Sequence, residues 1–372
     1  MENKTVVITG ILGQDGANMA EFLLNTTDHR IIGVMRRSAN PNYKNIETIK
    51  NHPRFGIDFL ELSDSSSIDH VIKKYSPDYF INFAANSFVG ISWEMPESVF
   101  DVNALGVLRC LEAIRKFKPT CRFYSAGSSE EFGDVDYSPQ DIRHPIKPRS
   151  PYGASKAASR HIVKVHRESY NLYAVHGILF NHEGPKRGEE FVTKKITSGV
   201  ARILNEIKNN KPVTPIELGN LDSKRDWSDS RDFVKGVWLM LTQEKPKDYV
   251  LSSGETHSIR EFVETAFEYV GILGRWWGKG EMEMFLINAQ DKKIGIKTKY
   301  PILVKINPKF YRPAEVELLM GDSTPIRTEL GWKPEISLDQ MIKDMIESDL
   351  KQYGQDQKAL NLSGDIQSPS RS

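Results

Sequence analysis

With 372 residues, 50 basic against 49 acidic side chains and a net charge of +1, the chain is long enough for two folded units and carries no overall charge favouring nucleic acid or a membrane surface. The hydrophobic share of 39% is that of a globular protein with a sizeable core, and two cysteines, Cys110 and Cys121, make no disulfide framework. No apolar run reaches the ~20 residues that span a bilayer, and MENKTVVITG runs into a strand without an export signal, so a cytoplasmic protein with no membrane or nucleic-acid partner is expected.

Residues 5–9, TVVIT, form a β-branched strand ending at Gly10, and ANMAEFLL follows with helical spacing. Between them lies GILGQDG, with Gly10, Gly13 and Gly16 enclosing Gln14 and Asp15. Glycines here permit a tight turn and let backbone N–H groups approach a pyrophosphate at the positive end of a helix. The next strand, RIIGVM (30–35), runs into Arg36, Arg37 and Ser38. An acidic residue at this place would hold a ribose 2′-hydroxyl, whereas arginines suit a 2′-phosphate, so NADP is expected rather than NAD. GIDFLEL (56–62) is a third strand, bringing Glu61 and Leu62 to its end; SDSSSIDHVIKKY is a capped helix and YFINFAA (79–85) a fourth strand. It ends in Ala84 and Ala85, small enough for close approach to a nicotinamide ribose, and opens into Asn86 and Ser87.

VFDVNALGVLRCLEAIRKF (99–117) reads as one long amphipathic helix and RFYSAG (122–127) as the fifth strand. Alternation of strand and helix predicts an α/β fold, a Rossmann-type doubly wound parallel sheet whose ligands bind beyond the carboxyl ends of its strands. Just past the fifth strand stand Ser128 and Glu130, two apart and on one side if the strand persists. Then comes YGASK, with Tyr152 and Lys156 sharing a helix face. A free phenol titrates near pH 10, and a nearby ammonium favours the phenolate, which can take a proton from a hydroxyl while hydride leaves the same carbon. Ser128 would assist it. Once that carbon is a ketone the neighbouring C–H is acidified, and Glu130 could remove the proton and protonate a leaving hydroxyl, which eliminates water.

After AVHGILFN (174–181), the stretch NHEGPKRGEEFVTKK crosses to a smaller C-terminal α/β lobe of helices and short strands such as PIELG and YVLSS. Residues 1–185 are expected to form the NADP-binding domain, with about 226–256 returning to it. Residues 186–352 form mainly the substrate lobe, with a hairpin-like insertion near 276–306, and 355–372 a disordered tail.

The motifs TGILGQDGANMAEFLL, DYFINFAANSFVGISWEMPE, RSPYGASK, GILFNHEGPKRGEEFVTKKI, LGNLDSKRDWSDSRDFV and FYRPAEVELLMGD, with RRS between the first two, resemble those of the GDP-mannose 4,6-dehydratases, extended short-chain dehydrogenases/reductases, over residues 4–350. The resemblance implies bound NADP that is recycled, oxidation at carbon 4 by Tyr152 and Lys156, loss of water across carbons 5 and 6 through Glu130, and hydride return to carbon 6, giving GDP-4-keto-6-deoxymannose. Ser128 takes the place of the catalytic threonine or serine. His182 and Arg187 would approach the cofactor, and Ser87, Asn181, Val192, Lys195, Leu218, Arg225, Arg312 and Glu315 the nucleotide-sugar; for His182 a loop-bracing role, and for Arg225 and Arg312 structural ion pairs, are the competing readings. No metal is implied. The 38–46 segment, SANPNYKNI, would reach a neighbouring subunit in a homotetramer or homodimer. Two departures stand out: the family's S-T-S-E followed by an apolar residue is here Gly127, Ser128, Ser129, Glu130 and Glu131, which sets a second negative charge beside the acid/base. The longer 278–305 segment leaves a heptose-bearing GDP-sugar open as substrate, and a GDP-sugar reductase or epimerase, or a non-catalytic nucleotide-sugar-binding protein, are the alternative functions.

Overall fold

A computed structural model describes residues 3–288, 302–311 and 318–364 and divides the chain into two units. The first comprises residues 3–188, Ser223–His257 and 318–337. Its frame is a seven-stranded sheet, all parallel, of β1 (Thr5–Thr9), β2 (Arg30–Met35), β3 (Phe55–Phe59), β4 (Tyr79–Asn82), β5 (Arg122–Ala126), β6 (Ala174–Leu179) and β7 (Tyr249–Leu251), in the order β7-β6-β5-β4-β1-β2-β3. The central strands are buried on both faces, which is why they read as continuous apolar runs rather than alternating ones. One core layer joins Val6, Ile8, Leu23, Tyr124 and Phe233; the other joins Val7, Phe80, Leu111, Phe123 and Val163. The expected doubly wound parallel sheet is therefore present.

Helices α1 (Gln14–Thr26), α2 (Ser65–Tyr75, capped by Asp64), α3 (Gly106–Phe117) and α4 (Pro151–Tyr170) connect the strands. The long helix expected over 99–117 is instead three pieces: Pro96–Phe100, a π-turn at Asp101–Leu105, and α3. The π-turn has a tertiary cause, because Asn103 hydrogen-bonds both the Asn86 backbone and the Ser155 hydroxyl. Residues 318–337, expected in the second lobe, pack with the first unit: Trp332 and Ile326 lie in its core, and Asp232 holds the Trp332 indole and the Glu335 and Ile336 N–H groups.

The second unit comprises Glu189–Asp222, 258–288 with 302–311, and 338–364. Strands Gly274–Trp277, Met284–Ile287 and Ile302–Ile306 pair antiparallel in that order, and Ile216–Leu218 adds parallel to the last. Residues 289–301, the middle of the expected insertion, lie outside the described residues. Helices Val192–Lys208, Ile259–Tyr269 and Leu338–Gly364 complete the unit. The last of these corrects the expected tail: helical backbone continues from 355 to Gly364, where Gln, Lys, Ala and Leu are good helix formers despite the missing apolar periodicity. Residues 365–372 lie outside the described residues.

Candidate active site

At the carboxyl end of β1, Gly10 has φ of +69°, and a Cβ there would lie 2.9 Å from the Ala84 nitrogen. Only glycine fits, and its absence of a side chain brings the turn against the end of β4. Thr9 Oγ1 ties the same two strand ends, donating to Asn82 Oδ1 at 2.7 Å and accepting from the Ala84 N–H at 3.0 Å. α1 starts at Gln14 with Gly13 as its N-cap and no side-chain cap, leaving its first N–H groups available to an anion. A cavity of about 380 Å³ opens past β2, β3 and β4, where Arg36, Glu61 and Asn86 line it together with apolar residues such as Ile91 and Val102.

Of the residues expected at the cofactor, Arg36 and Glu61 thus meet at one cavity. Arg37, Ser38 and Ser87 are exposed beside it, the Arg37 guanidinium lying over the Phe59 ring at 5.2 Å. Ala84 and Ala85 are half-buried at the β4 end. Leu62 is buried in the core and packs toward Gly106, so its side chain does not line the cavity.

Asp15 and His182 pair beneath the glycine turn. Asp15 Oδ2 lies 2.9 Å from His182 Nε2, Ser230 Oγ donates to Asp15 Oδ1 at 2.6 Å, and Gln14 Nε2 donates to the His182 carbonyl at 3.0 Å. His182 Nδ1 faces the Phe180 carbonyl at 2.7 Å, so both ring nitrogens address acceptors and the imidazolium is favoured. Burial opposes charge in both groups, yet their mutual attraction prevails: Asp15 is held well below the usual carboxylate range and His182 is raised. His182 also stacks on Phe233 at 4.8 Å, which is the bracing geometry. Arg187 Nε pairs with Glu183 at 2.8 Å.

The segment expected to carry Ser128 and Glu130 on a strand departs from that expectation. β5 stops at Ala126, and Ser128 caps a 3₁₀ turn, Ser129–Glu131, in a capping box: the Ser128 N–H donates to Glu131 Oε1 at 2.8 Å and the Glu130 N–H to Ser128 Oγ at 3.2 Å. Ser128 and Glu130 are therefore placed by a turn, not by strand alternation. α4 begins at Pro151 behind its N-cap Ser150, and a Cβ on Gly153 would lie 2.5 Å from the Glu130 carbonyl, so the turn and the helix start are in close contact. This sets the buried Tyr152 phenol beside the Ser128 hydroxyl and the half-buried Glu130, both close enough to act on its ionisation.

Burial pushes the Tyr152 phenol well above its ordinary value; the Ser128 hydroxyl and Arg187 pull it back, and Glu130 and Glu131 add to the rise. Lys156 Nζ donates to the Ala126 carbonyl at 2.7 Å and lies 5.8 Å from the Tyr152 ring centre. Burial brings it down to about 8 against the charges of Glu131 and Asp15. The cation that pulls the phenol down here is Arg187, whereas the expected Lys156 is anchored to the strand end.

Asn181 is half-buried on Asn181–Glu183, paired with Trp227–Asp229; Arg225, 6% exposed, donates to the Lys224 carbonyl at 2.8 Å. In the second unit Val192 opens its helix, Lys195 Nζ sits 3.2 Å over the Phe310 ring, and Leu218 is buried at a strand end. Arg312 and Glu315 lie outside the described residues. Sequence reasoning missed Asn103 and His176. Each is a polar residue inside an otherwise apolar pattern, and that was the available signal.

The GDP-mannose 4,6 dehydratase family profile matches residues 7–345. A GDP-mannose 4,6 dehydratase of Drosophila melanogaster is 43% identical over 357 residues, covering 94% of this chain and 87% of its own. Among solved structures, dTDP-glucose 4,6-dehydratase from Bacillus anthracis in complex with NAD superposes with a TM-score of 0.74 at 18% identity, covering 94% of this chain and 98% of its own. RMD from Pseudomonas aeruginosa complexed with NADPH gives 0.70 at 19%, covering 94% and 100%. The two structures share the fold, and the family match spans residues 7–345. The chain belongs to the GDP-mannose 4,6-dehydratase family.

Proposed function

We propose that this enzyme dehydrates GDP-mannose to GDP-4-keto-6-deoxymannose with NADP as its cofactor, in the cytoplasm. The observation that carries the reading is the close contact between the Ser129–Glu131 turn and the start of α4, which sets Ser128 and Glu130 beside the buried Tyr152 phenol. One group can then serve a sugar hydroxyl while a second, on the adjoining turn, serves the next carbon. The glycine turn, the uncapped start of α1 and the Arg36 side of the cavity fit a dinucleotide carrying a 2′-phosphate. When bound, the nicotinamide supplies the hydride acceptor at carbon 4 and the donor at carbon 6.

Tyr152 takes the 4-hydroxyl proton, with Ser128 sharing the hydrogen bond that orients it. The resulting ketone acidifies carbon 5, and Glu130 removes that proton and delivers one to the departing 6-hydroxyl. Lys156, fixed by Ala126, keeps the helix start and the strand end in register. Asn181, Arg225 and Lys195 are suited to the sugar and diphosphate of the nucleotide. A homotetramer or homodimer fits the exposed 36–40 stretch, while Asn45 ties the end of the 38–46 segment to its own glycine turn through the Leu12 carbonyl and to the loop after Glu183 through the Lys186 carbonyl.

The test is incubation of the purified protein with GDP-mannose and no added reductant. A 4-keto-6-deoxy product formed without net NADPH consumption is expected, and Glu130→Gln should bind cofactor yet form none. No product across GDP-mannose and a GDP-manno-heptose overturns the reading.

A further inference from the structure

Behind the catalytic turn lies a buried group that the reaction does not touch. Glu131 and His176 are both 0% exposed, and Glu131 Oε1 stands 2.9 Å from His176 Nε2 while accepting the Ser128 N–H at 2.8 Å. His176 is on β6 opposite Ser125 of β5, and its own N–H is held by Asp248, which is paired with Arg167. A Cβ at Gly127 would fall 2.2 Å from His176 Nε2 and 2.7 Å from Glu131 Oε1, so the glycine, the glutamate and the histidine require one another. Glu131 Oε2 and His176 Nδ1 have no hydrogen-bond partner among the described residues. An arrangement with unpaired buried polar atoms is a poor stabiliser compared with an apolar side chain in the same place.

We propose that Glu131, backed by His176, is a positioning residue for the dehydration, holding the backbone of Ser128 so that the serine hydroxyl meets Tyr152. This rests on the reading that Ser128 and Tyr152 handle the 4-hydroxyl proton. The carboxylate also acts at a distance. Burial opposes its charge, but His176, the Ser128 N–H and Arg160 hold it below its ordinary value, so it is an anion. Facing it are His176 on β6, Arg160, Tyr152 and Lys156 on α4 and Tyr124 on β5; Glu130 and Arg187 also face Tyr152, and Asp15 faces Lys156 and Tyr124. An anion near the phenol resists its ionisation, so neutralising Glu131 favours the phenolate and moves the acidic limb of the rate profile to lower pH.

Two variants separate the roles. Glu131→Gln keeps an oxygen for the Ser128 N–H and removes the charge; Glu131→Leu removes both. The leucine variant should lose about 100-fold in kcat with KM for GDP-mannose within about twofold, the scale of a misplaced catalytic group. The glutamine variant should lose several-fold less and show the limb shifted to lower pH. Wild-type kcat and an unmoved limb in both would make Glu131 a space-filling residue and overturn the proposal. If the leucine variant does not fold, the limb of the glutamine variant decides alone. If the wild type does not act on GDP-mannose, the function reading fails separately, and the Tyr152 titration is followed by NMR of ring-labelled tyrosine, assigned with Tyr152→Phe. A lower midpoint in Glu131→Gln supports the proposal and an unchanged one overturns it.

Discussion

Gly127→Ala is the sharpest perturbation of the catalytic turn, because the backbone permits it and the surroundings do not. Gly127 does not have a positive φ, so alanine is not excluded by conformation, and in open space such a change stabilises by ~0.4–1 kcal/mol. Here the new methyl would sit 2.2 Å from His176 Nε2, 2.7 Å from Glu131 Oε1 and 2.8 Å from the Gly177 carbonyl. The histidine is completely buried and its backbone is anchored to Asp248, so the ring has little room to retreat. Overpacking of this kind costs about 1–3 kcal/mol, and weakening a hydrogen bond to a charged group roughly 1.5–3 more, for a total of about 2.5–6 kcal/mol. Urea denaturation of the wild type, Gly127→Ala, His176→Ala and the double variant measures it. With the ring gone the alanine should be at least ~1 kcal/mol less harmful, a coupling typical of residues in contact. Strictly additive losses, within about 0.5 kcal/mol, would refute the claim that position 127 is kept small by His176.

Three further outcomes are expected. Arg36→Ala with Arg37→Ala should weaken NADP binding far more than NAD binding in titration calorimetry; equal losses for both would remove the 2′-phosphate assignment. For the Asp15–His182 pair the sign of the pH dependence follows from the shifts. Asp15, lowered from 3.8, contributes stability above that value that is lost as pH falls through its folded value, and His182, raised from 6.5, contributes stability below 6.5 that is lost as pH rises through its folded value. Wild-type Tm should therefore exceed that of Asp15→Asn most between these two limits, and parallel Tm profiles would contradict the pairing. Lys194 and Asp349 form an ion pair at 3% and 2% exposure within the second unit. Lys194→Met should cost about 3–5 kcal/mol in chemical denaturation by stranding the aspartate, and adding Asp349→Leu should recover most of it.

The parallel sheet was legible because strands buried on both faces have to be continuous β-branched and aromatic runs, and the glycine turn because only glycine reaches a φ near that of Gly10 without strain. Tyr152 and Lys156 were legible through helical spacing. What local pattern could not show was geometry imposed from far along the chain. The π-turn over Asp101–Leu105 depends on Asn86 and Ser155, and the helical reading of 99–117 had no access to either. Glu131 stood out as an unusual charge, but His176, forty-five residues further along the chain, explains why it is tolerated. The placing of Ser128 and Glu130 on one side of a strand failed for a local reason: Glu131 reaches back three residues to cap the turn, and the strand stops at Ala126. Assignment of 318–337 to the second lobe failed because Trp332 finds its partner at Asp232, a hundred positions earlier.

The central claim, that one enzyme oxidises carbon 4 and reduces carbon 6 of the same sugar, is tested most directly with GDP-mannose deuterated at carbon 4. The account predicts a 4-keto-6-deoxy product carrying the deuterium at carbon 6, without net consumption of NADPH. Product with the label lost to solvent, or formation only with added reductant, would contradict it.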